Sequence, residues 1–484
     1  MSKRSIYAGK SQLAAECFSR AGGPEKVLVV PMDLAKSEHV AACCRGTGDY
    51  LTKPFAVHNN REGVEYLLRR VEGVCRQRHI PPQNVIIGGE DPAEYALNFI
   101  YELQRTGHSF LYVNAGKAAR LRNNSRAVSD SLALDGIAQA LIQQRGRALR
   151  LSDELYCTLK AAARFRRGLV RSETALKNQI HRDVDILFPG FLQESRSGLV
   201  PFSAACLDLM ERDFSCIKIK RMRLDTLAGR LHNRHVHHPQ TTAAKLRALA
   251  AEALPPAPAL IPYTARKLAA RIRLLRTTRE AIAVQNNEIA RCLVQTPGFF
   301  ATSIPGIGVV LAGHILAEYG PPESWPDADN MASYAGIVPR QKQTGGPSKP
   351  PRVGTLPMDA NRILKDYLLQ AAFHAGTTGN HRLQQHYQRI CHRDGRARLS
   401  TAKLLLRILR VMAKTQMVYL PEEILRPGKN LPRHSVIDYY QAVTEALEQK
   451  WNAFDLSGIP DENNHLQKWK ETVHDIAQFM ARNP

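Results

Sequence analysis

Two short apolar runs, VLVVPMDLA at 27–35 and NVIIGGE at 84–90, carry an acid at or near their end, Asp33 and Glu90. Runs this short and this apolar suit strands covered on both faces, so they narrow the fold more than any other feature of the chain. Between them, HVAACC (39–44) and PFAVHN (54–59) read as further strands. REGVEYLLRRVEGVCRQR (61–78) reads as a helix with Val64, Leu67, Leu68, Val71 and Val74 on one face. A helix at 93–107, a strand at 109–114 and a helix at 129–144 follow. This alternation predicts an α/β sheet covered by helices.

The remainder reads as mostly α. Residues 150–195 are helical and basic, and the stretch 239–262, around LPPAPALIP, reads as a linker that breaks regular structure. From Tyr263 to Gln295 the spacing predicts one long helix. Positions 268, 272, 275, 279, 282, 286, 289 and 293 form a heptad seam of Leu and Ile, broken by Arg279 and Asn286. Such a seam serves a coiled-coil dimer, an intrachain hairpin, or a helix lying on its own domain. Residues 380–418 are helical and basic, and 436–482 reads as two polar helices carrying Trp451 and Trp469.

A chain of 484 residues exceeds one ordinary core, so two or three domains are expected. Lys and Arg outnumber acids 67 to 44, a formal charge of +23. That excess calls for a polyanionic partner, nucleic acid before an anionic membrane surface. No apolar run approaches the roughly 20 residues of a spanning helix. The N-terminus has no long apolar stretch, so no signal peptide is expected. Nine scattered cysteines without a CxxC pair read as reduced thiols of a cytoplasmic protein.

Asp33 and Glu90 end predicted strands, and Asp130 and Asp135 open a predicted helix. Carboxylates grouped at strand ends make a hard oxygen site suited to Mg²⁺. Two such ions about 4 Å apart clamp the attacking and leaving oxygens of a phosphodiester. The same residues also read as local structure, Asp130 as an N-cap and Asp33 as a turn acid, and Asp91 and Glu94 compete with Glu90.

Further on, SIPGIGVVLAGHILAEYG (303–320) places Gly306 and Gly308 in a turn between two predicted helices. The turn lets backbone approach a phosphate, in the manner of a helix-hairpin-helix, or serves only as a tight helical turn. PRQKQTGGPSKPPRVG (339–354) joins Arg340, Lys342, Lys349 and Arg352 to two hydroxyls, Thr344 and Ser348. Cations hold phosphates and a hydroxyl can attack phosphorus; read alone, this is also an ordinary basic loop. The helix 359–372 packs on Ile363, Leu364, Tyr367 and Leu368, which leaves Asn361, Arg362 and Lys365 for a nucleic-acid backbone. His232, His235, His237 and His238 lack ligand spacing and read as a solvated basic loop.

In this order the motifs resemble the insertion-sequence-110 family of transposases, also called DEDD transposases or bridge-RNA-guided recombinases. The likeness covers roughly 27–200 and 263–420. VPMDLAKSEHVAAC resembles the family's first strand, VIIGGEDPAEYALNFIYEL its glutamate-bearing strand, and RFRRGLVRSETALKNQIHRDVDILFPG its basic helix. SIPGIGVVLAGHILAEYG, YAGIVPRQKQTGG and NRILKDYLLQAA are similar to its C-terminal domain. The resemblance implies an RNase-H-like (RuvC-like) domain over 26–150, a helical and coiled-coil region over 151–297, a transposase domain over 298–420 and a helical tail over 421–484. It implies Mg²⁺ held by Asp33, Glu90, Asp130 and Asp135, and a hydroxyl nucleophile forming a covalent protein–DNA intermediate. Donor and target DNA, a structured guide RNA encoded by the element, and a homo-oligomer (dimer or tetramer) are the implied partners, with no membrane. The chain departs from the family twice. Its last two acids are five residues apart instead of three, so on one straight helix they point about 140° apart. The expected Ser-Gly falls on Thr344-Gly345, with Ser348 as the alternative hydroxyl. Two rival readings use the same residues: a junction-resolving nuclease that hydrolyses with water, and a non-catalytic nucleic-acid-binding relative.

Overall fold

The computed structural model describes residues 11–482 except 91–94, 122–129, 150–153, 213, 326, 340, 343–351, 358–359, 380 and 422–432. The chain divides into two compact units, one from 1–158, 296–447 and 469–484, the other from 159–295 and 448–468.

The first unit opens with helix α1 (Gln12–Ala21), capped by Ser11 Oγ, and then the sheet. Its strands are β1 (Leu28–Asp33), β2 (Glu38–Ala41), β3 (Cys44–Arg45), β4 (Phe55–His58), β5 (Val85–Glu90), β6 (Phe110–Tyr112) and β7 (Arg147–Leu149). They lie in the order β4-β2-β1-β5-β6-β7, with β3 also on β1. β1, β5 and β6 are mutually parallel; β2, β3, β4 and β7 run antiparallel to their neighbours. Helices α2 (Arg61–Arg78), α3 (Leu97–Arg105), α4 (Ala115–Ala118) and α5 (Asp130–Ile142) cover it. Alternate residues of β1 feed the two sides. Leu28, Val30 and Met32 pack with Val64, Leu67 and Phe99 of α2 and α3. Val27, just before the strand, and Val29 pack with Ile137, Ala138 and Leu141 of α5. The expected strand 39–44 divides in two, because Cys43 turns to bond Leu51 N–H through its carbonyl and Thr52 Oγ through its N–H. Burial pushes the Cys43 and Cys44 thiols up to about 12, so both stay protonated.

Later in the same unit come α13 (Val309–Tyr319), α14 (Ala328–Tyr334), a ribbon of β8 (Gln341–Lys342) and β9 (Arg352–Val353), α15 (Arg362–Thr377), α16 (Arg382–Gln388) and α17 (Asp394–Thr415). α15 is central, packed on α13, α16 and α17. Two further helices follow, α18 (Arg433–Trp451) and α19 (His465–Arg482), as the polar tail predicts. No helix among the described residues is long and apolar enough to cross a membrane.

In the second unit, α6 (Glu154–Leu187) and α12 (Ile261–Val294) flank α7 (Glu194–Ser197), α8 (Ala204–Glu211), α9 (Cys216–Arg221), α10 (Leu224–His232) and α11 (Pro239–Glu252). The linker expected over 239–262 is corrected here. Pro239 occupies the first turn of α11, where a missing N–H costs nothing, and Ala243, Leu246, Leu249 and Ala250 are buried. The prolines at 255 and 256 interrupt only the stretch after it. The heptad seam lies on its own domain: Leu268, Ile272 and Leu275 are buried in the second unit's core with residues of α8–α11, and polar bonds link α12 to α6. Arg166 Nε donates to Asn286 Oδ1 at 2.5 Å, and Arg279 Nε donates to Glu173 Oε1 at 3.1 Å. Asp183, 2% exposed, meets Lys267 Nζ at 2.8 Å and also Arg271. Partners advance along α6 as they retreat along α12, so the two helices run antiparallel.

Asp183 balances two cations from within the core, and removing one partner of a buried pair is costly. Asp183→Ala should destabilise the second unit by about 3 kcal/mol, the low end because both cations keep some solvent. Urea unfolding followed by circular dichroism measures this; an unchanged midpoint would refute it.

Candidate active site

Asp33 and Glu90 are direct partners across the parallel β1–β5 ladder. Adjacent strands lie about 4.8 Å apart, which brings the two acids side by side at the strands' C-terminal ends. Leu34 N–H donates to Glu90 O at 3.3 Å and extends that ladder by one bond. Residues two apart on a strand share a face. Val29 and Ile86 contact the α5 layer, so Asp33 and Glu90 belong to the α5 side by register. Glycines make the approach possible. A Cβ on Gly88 would lie 2.7 Å from Leu141 Cδ2 of α5, and one on Gly89 only 2.2 Å from Met32 O of β1. Glu90 is buried, with 8% of its surface exposed.

Asp135 lies on α5, and its Oδ2 is buried without a hydrogen-bond partner. Its charge helps hold the Cys44 thiol at about 12, after desolvation and the neighbouring Cys43. Asp130 is the first residue of α5, not a turn residue before it, so the two aspartates differ by about 140° around one axis. The Asp130 side chain lies outside the described part. Among the described residues, no three His, Cys, Asp or Glu side chains gather closely enough to hold a metal. The structure therefore joins Asp33 to Glu90 and does not complete a three-carboxylate group with Asp135. The donors that are joined are carboxylates, which suit a hard cation, and Asp135 adds a buried oxygen whose bonding capacity is unfilled.

The glycine turn is preceded by a 3₁₀ segment, Pro297–Ser303, and followed by α13. Gly306 has φ +81°, and a Cβ there would sit 2.5 Å from His374 O. Its lack of a side chain is thus used against the backbone of α15. Gly308 is exposed, has open space around it, and precedes α13 with no side-chain cap. Arg362 is exposed at the start of α15. Lys342 stands in β8, with its side chain outside the described part. Arg340, Thr344 and Ser348 lie outside the described residues.

Asn361 is a correction. The sequence left it for a nucleic-acid backbone, but its Oδ1 caps α15 by accepting from Leu364 N–H at 3.1 Å. Its Nδ2 donates to Glu318 Oε2 at 2.7 Å and to Tyr334 Oη at 3.1 Å. Glu318 was missed altogether. Its signal was a glutamate within the apolar run VVLAGHILAEYG; it is 2% exposed in α13. His314, one turn earlier, is also buried, and its ring stacks on Tyr367 at 3.8 Å.

Comparison with known proteins gives two matches in chain order. Residues 30–189 match a family model described as a transposase, of the DEDD type. Residues 300–388 match the model of the "Transposase IS116/IS110/IS902 family". The chain is also 26% identical over 241 residues to the "Insertion element IS110 uncharacterized 43.6 kDa protein" of Streptomyces coelicolor, covering 47% of this chain. The match spans 55% of that relative's length.

Replacing Gly89 with alanine puts a methyl group into backbone, which cannot rotate away. Gly89→Ala should cost roughly 3 kcal/mol. Gly73→Ala, in the exposed face of α2 with open space around it, should add about 0.5–1 kcal/mol instead. Thermal melts of both variants check the contrast; a neutral Gly89→Ala would refute the close approach.

Proposed function

Because this chain belongs to the IS110 family of transposases, we propose that it cuts and exchanges DNA strands through a covalent protein–DNA intermediate. One observation carries the reading: Asp33 and Glu90 pair in register at the ends of adjacent parallel strands, inside the stretch that matches the DEDD transposase model. The strand order β4-β2-β1-β5-β6, three antiparallel strands followed by two parallel ones, supports an RNase-H-like (RuvC-like) domain.

On this reading Asp33 and Glu90, with either Asp135 or Asp130 from α5, would hold Mg²⁺; about 140° apart on one helix, the two aspartates cannot both face it. Bound there, the ion neutralises charge building on the phosphate oxygens. The nucleophile is the hydroxyl of Thr344, with Ser348 as the alternative. Its Oγ–P bond forms as a phosphodiester P–O bond breaks; the hydroxyl gives up its proton and the departing DNA oxygen gains one. Energy stored in the phosphodiester is kept, so the strand can be rejoined to another end. Arg340, Lys342 and Arg362 position the DNA through its phosphates, and Gly308, at the uncapped start of α13, offers backbone N–H groups. Gly306 supports that turn by seating it on α15. The charge of +23 suits donor and target DNA and a structured RNA guide encoded by the element, while assembly as a dimer or tetramer is carried by the family resemblance alone.

The test is recombination on the flanking element DNA, with trapping of the adduct. Thr344→Ala should lower adduct yield by on the order of a thousandfold, while Ser348→Ala stays near wild type. Asp33→Ala should abolish Mg²⁺-dependent strand exchange. Full activity in both hydroxyl variants would remove the nucleophile assignment, and cleavage without any adduct would point to hydrolysis by water.

A further inference from the structure

The polypeptide leaves α14 at Tyr334 and returns to α15 at Asn361, and between them runs the β8–β9 ribbon. Both ends are tied by one residue. Asn361 N–H donates to Tyr334 O at 3.1 Å, and its side-chain amide donates to Tyr334 Oη at 3.1 Å and to Glu318 Oε2 at 2.7 Å. Its Oδ1 accepts from Leu364 N–H. An asparagine amide has two N–H groups, and both are committed. Just beyond, the outgoing and returning segments touch: Gly336 has φ +69°, and a Cβ on it would lie 2.5 Å from Ala360 Cβ. A helix cap needs only Oδ1. The two N–H bonds do something else, because they fasten the base of the ribbon to a carboxylate buried in α13.

We propose that Asn361, held by Glu318 and Tyr334, is a positioning residue for the proposed reaction: it fixes the base of the β8–β9 ribbon, the connection whose sequence carries the proposed nucleophile. This rests on the hydroxyl chemistry proposed above. It assigns no contact with DNA to Asn361, so substitution should change the rate of attack and leave DNA affinity alone. Small displacements of reacting groups are costly: a misplacement of about 1 Å can remove a hundredfold in rate.

Two substitutions separate capping from clamping. Serine caps a helix about as well as asparagine but has no amide N–H. Aspartate also caps, yet puts a second carboxylate against Glu318. Full-length wild-type protein, Asn361→Ser, Asn361→Asp and the double variant Glu318→Gln/Asn361→Asp would be compared. In the double variant the amide is on α13 and donates to a carboxylate at the start of α15, so the bond is remade with its direction reversed. Three quantities are read: single-turnover adduct formation on element DNA with Mg²⁺, DNA affinity, and hydrogen exchange across 335–360. The single variants should slow adduct formation at least about tenfold, hold affinity within about twofold, and speed exchange in 335–360 but not in α13 or α17. The double variant should recover most of the rate, since the coupling lies between the two positions.

Unchanged exchange across 335–360 in Asn361→Ser would overturn the clamp whatever the chemistry proves to be. Faster exchange with an unaltered adduct rate, or loss of rate matched by loss of affinity, would overturn the positioning role. An adduct that persists in Thr344→Ala overturns only the nucleophile assignment, and the Asn361 comparison then holds for whichever hydroxyl reacts. If wild type forms no adduct, the proposed chemistry fails and the exchange arm alone decides whether the clamp exists.

Discussion

Close packing of β5 between β1 and α5 is the constraint on which the N-terminal half depends. Gly88 and Gly89 have no side chains, so β5 lies nearer to Met32 O and to Leu141 than any other residue would allow. That contact locks the parallel register Leu28↔Val85 through Asp33↔Glu90. A slip of one residue would turn every side chain of β5 to the opposite layer. Ile86 would then leave the α5 layer and Ile87 the α2–α3 layer, and Asp33 and Glu90 would no longer stand together. Core and acidic pair are therefore fixed by the same contact.

Polar groups do comparable work in the second unit. Two 34-residue helices joined by apolar contacts alone would tolerate several registers, each displaced by one heptad. Arg279 with Glu173, Asn286 with Arg166, and Asp183 with Lys267 and Arg271 are satisfied together in only one of them. Pairs of this kind, of which only Asp183 is fully buried, add little net stability, but they penalise the alternatives. The segment after α18 is tied to the same helix, since Asn287 exchanges hydrogen bonds with the backbone of Asp455, and Arg291 donates to Ser457 O at 2.7 Å.

Much of the sheet could be read from the sequence because its strands are short, apolar and ended by acids, turns or glycine. β1, β4, β5 and β6 fall inside the predicted runs, and so do α2, α3 and α5. β7 escaped because Arg147–Leu149 carries no strand pattern; it is defined by pairing with β6, which is a tertiary event. α11 escaped because prolines near its end drew attention away from the alanine and leucine positions that bury it. At the candidate site the acids of β1 and β5 were legible, since a carboxylate after a buried strand has few other reasons to be there. Glu318 was not, because its partner is 43 residues away, and spacing along one helix says nothing of such a contact. Asn361 was misjudged for the same reason: its position on the helix suggested exposure, while its bonds are made at the helix end.

The threonine at 344 and the Asn361 clamp bear on each other. A primary hydroxyl on serine can sample three rotamers and reach a phosphate from a loosely held backbone. Threonine carries a methyl group on the same carbon, which restricts χ1 and crowds the approach to phosphorus. On the proposed chemistry, an enzyme that attacks through threonine has less freedom in the side chain to correct an error in the main chain. Placement must then come from the backbone, and the backbone of a long connection is fixed most directly at its base. Tyr334 and Asn361 are that base, and Glu318 connects it to the buried core of α13. A secondary hydroxyl and a rigid base are thus complementary, and the stiffer the nucleophile, the more the reaction rate should depend on Asn361.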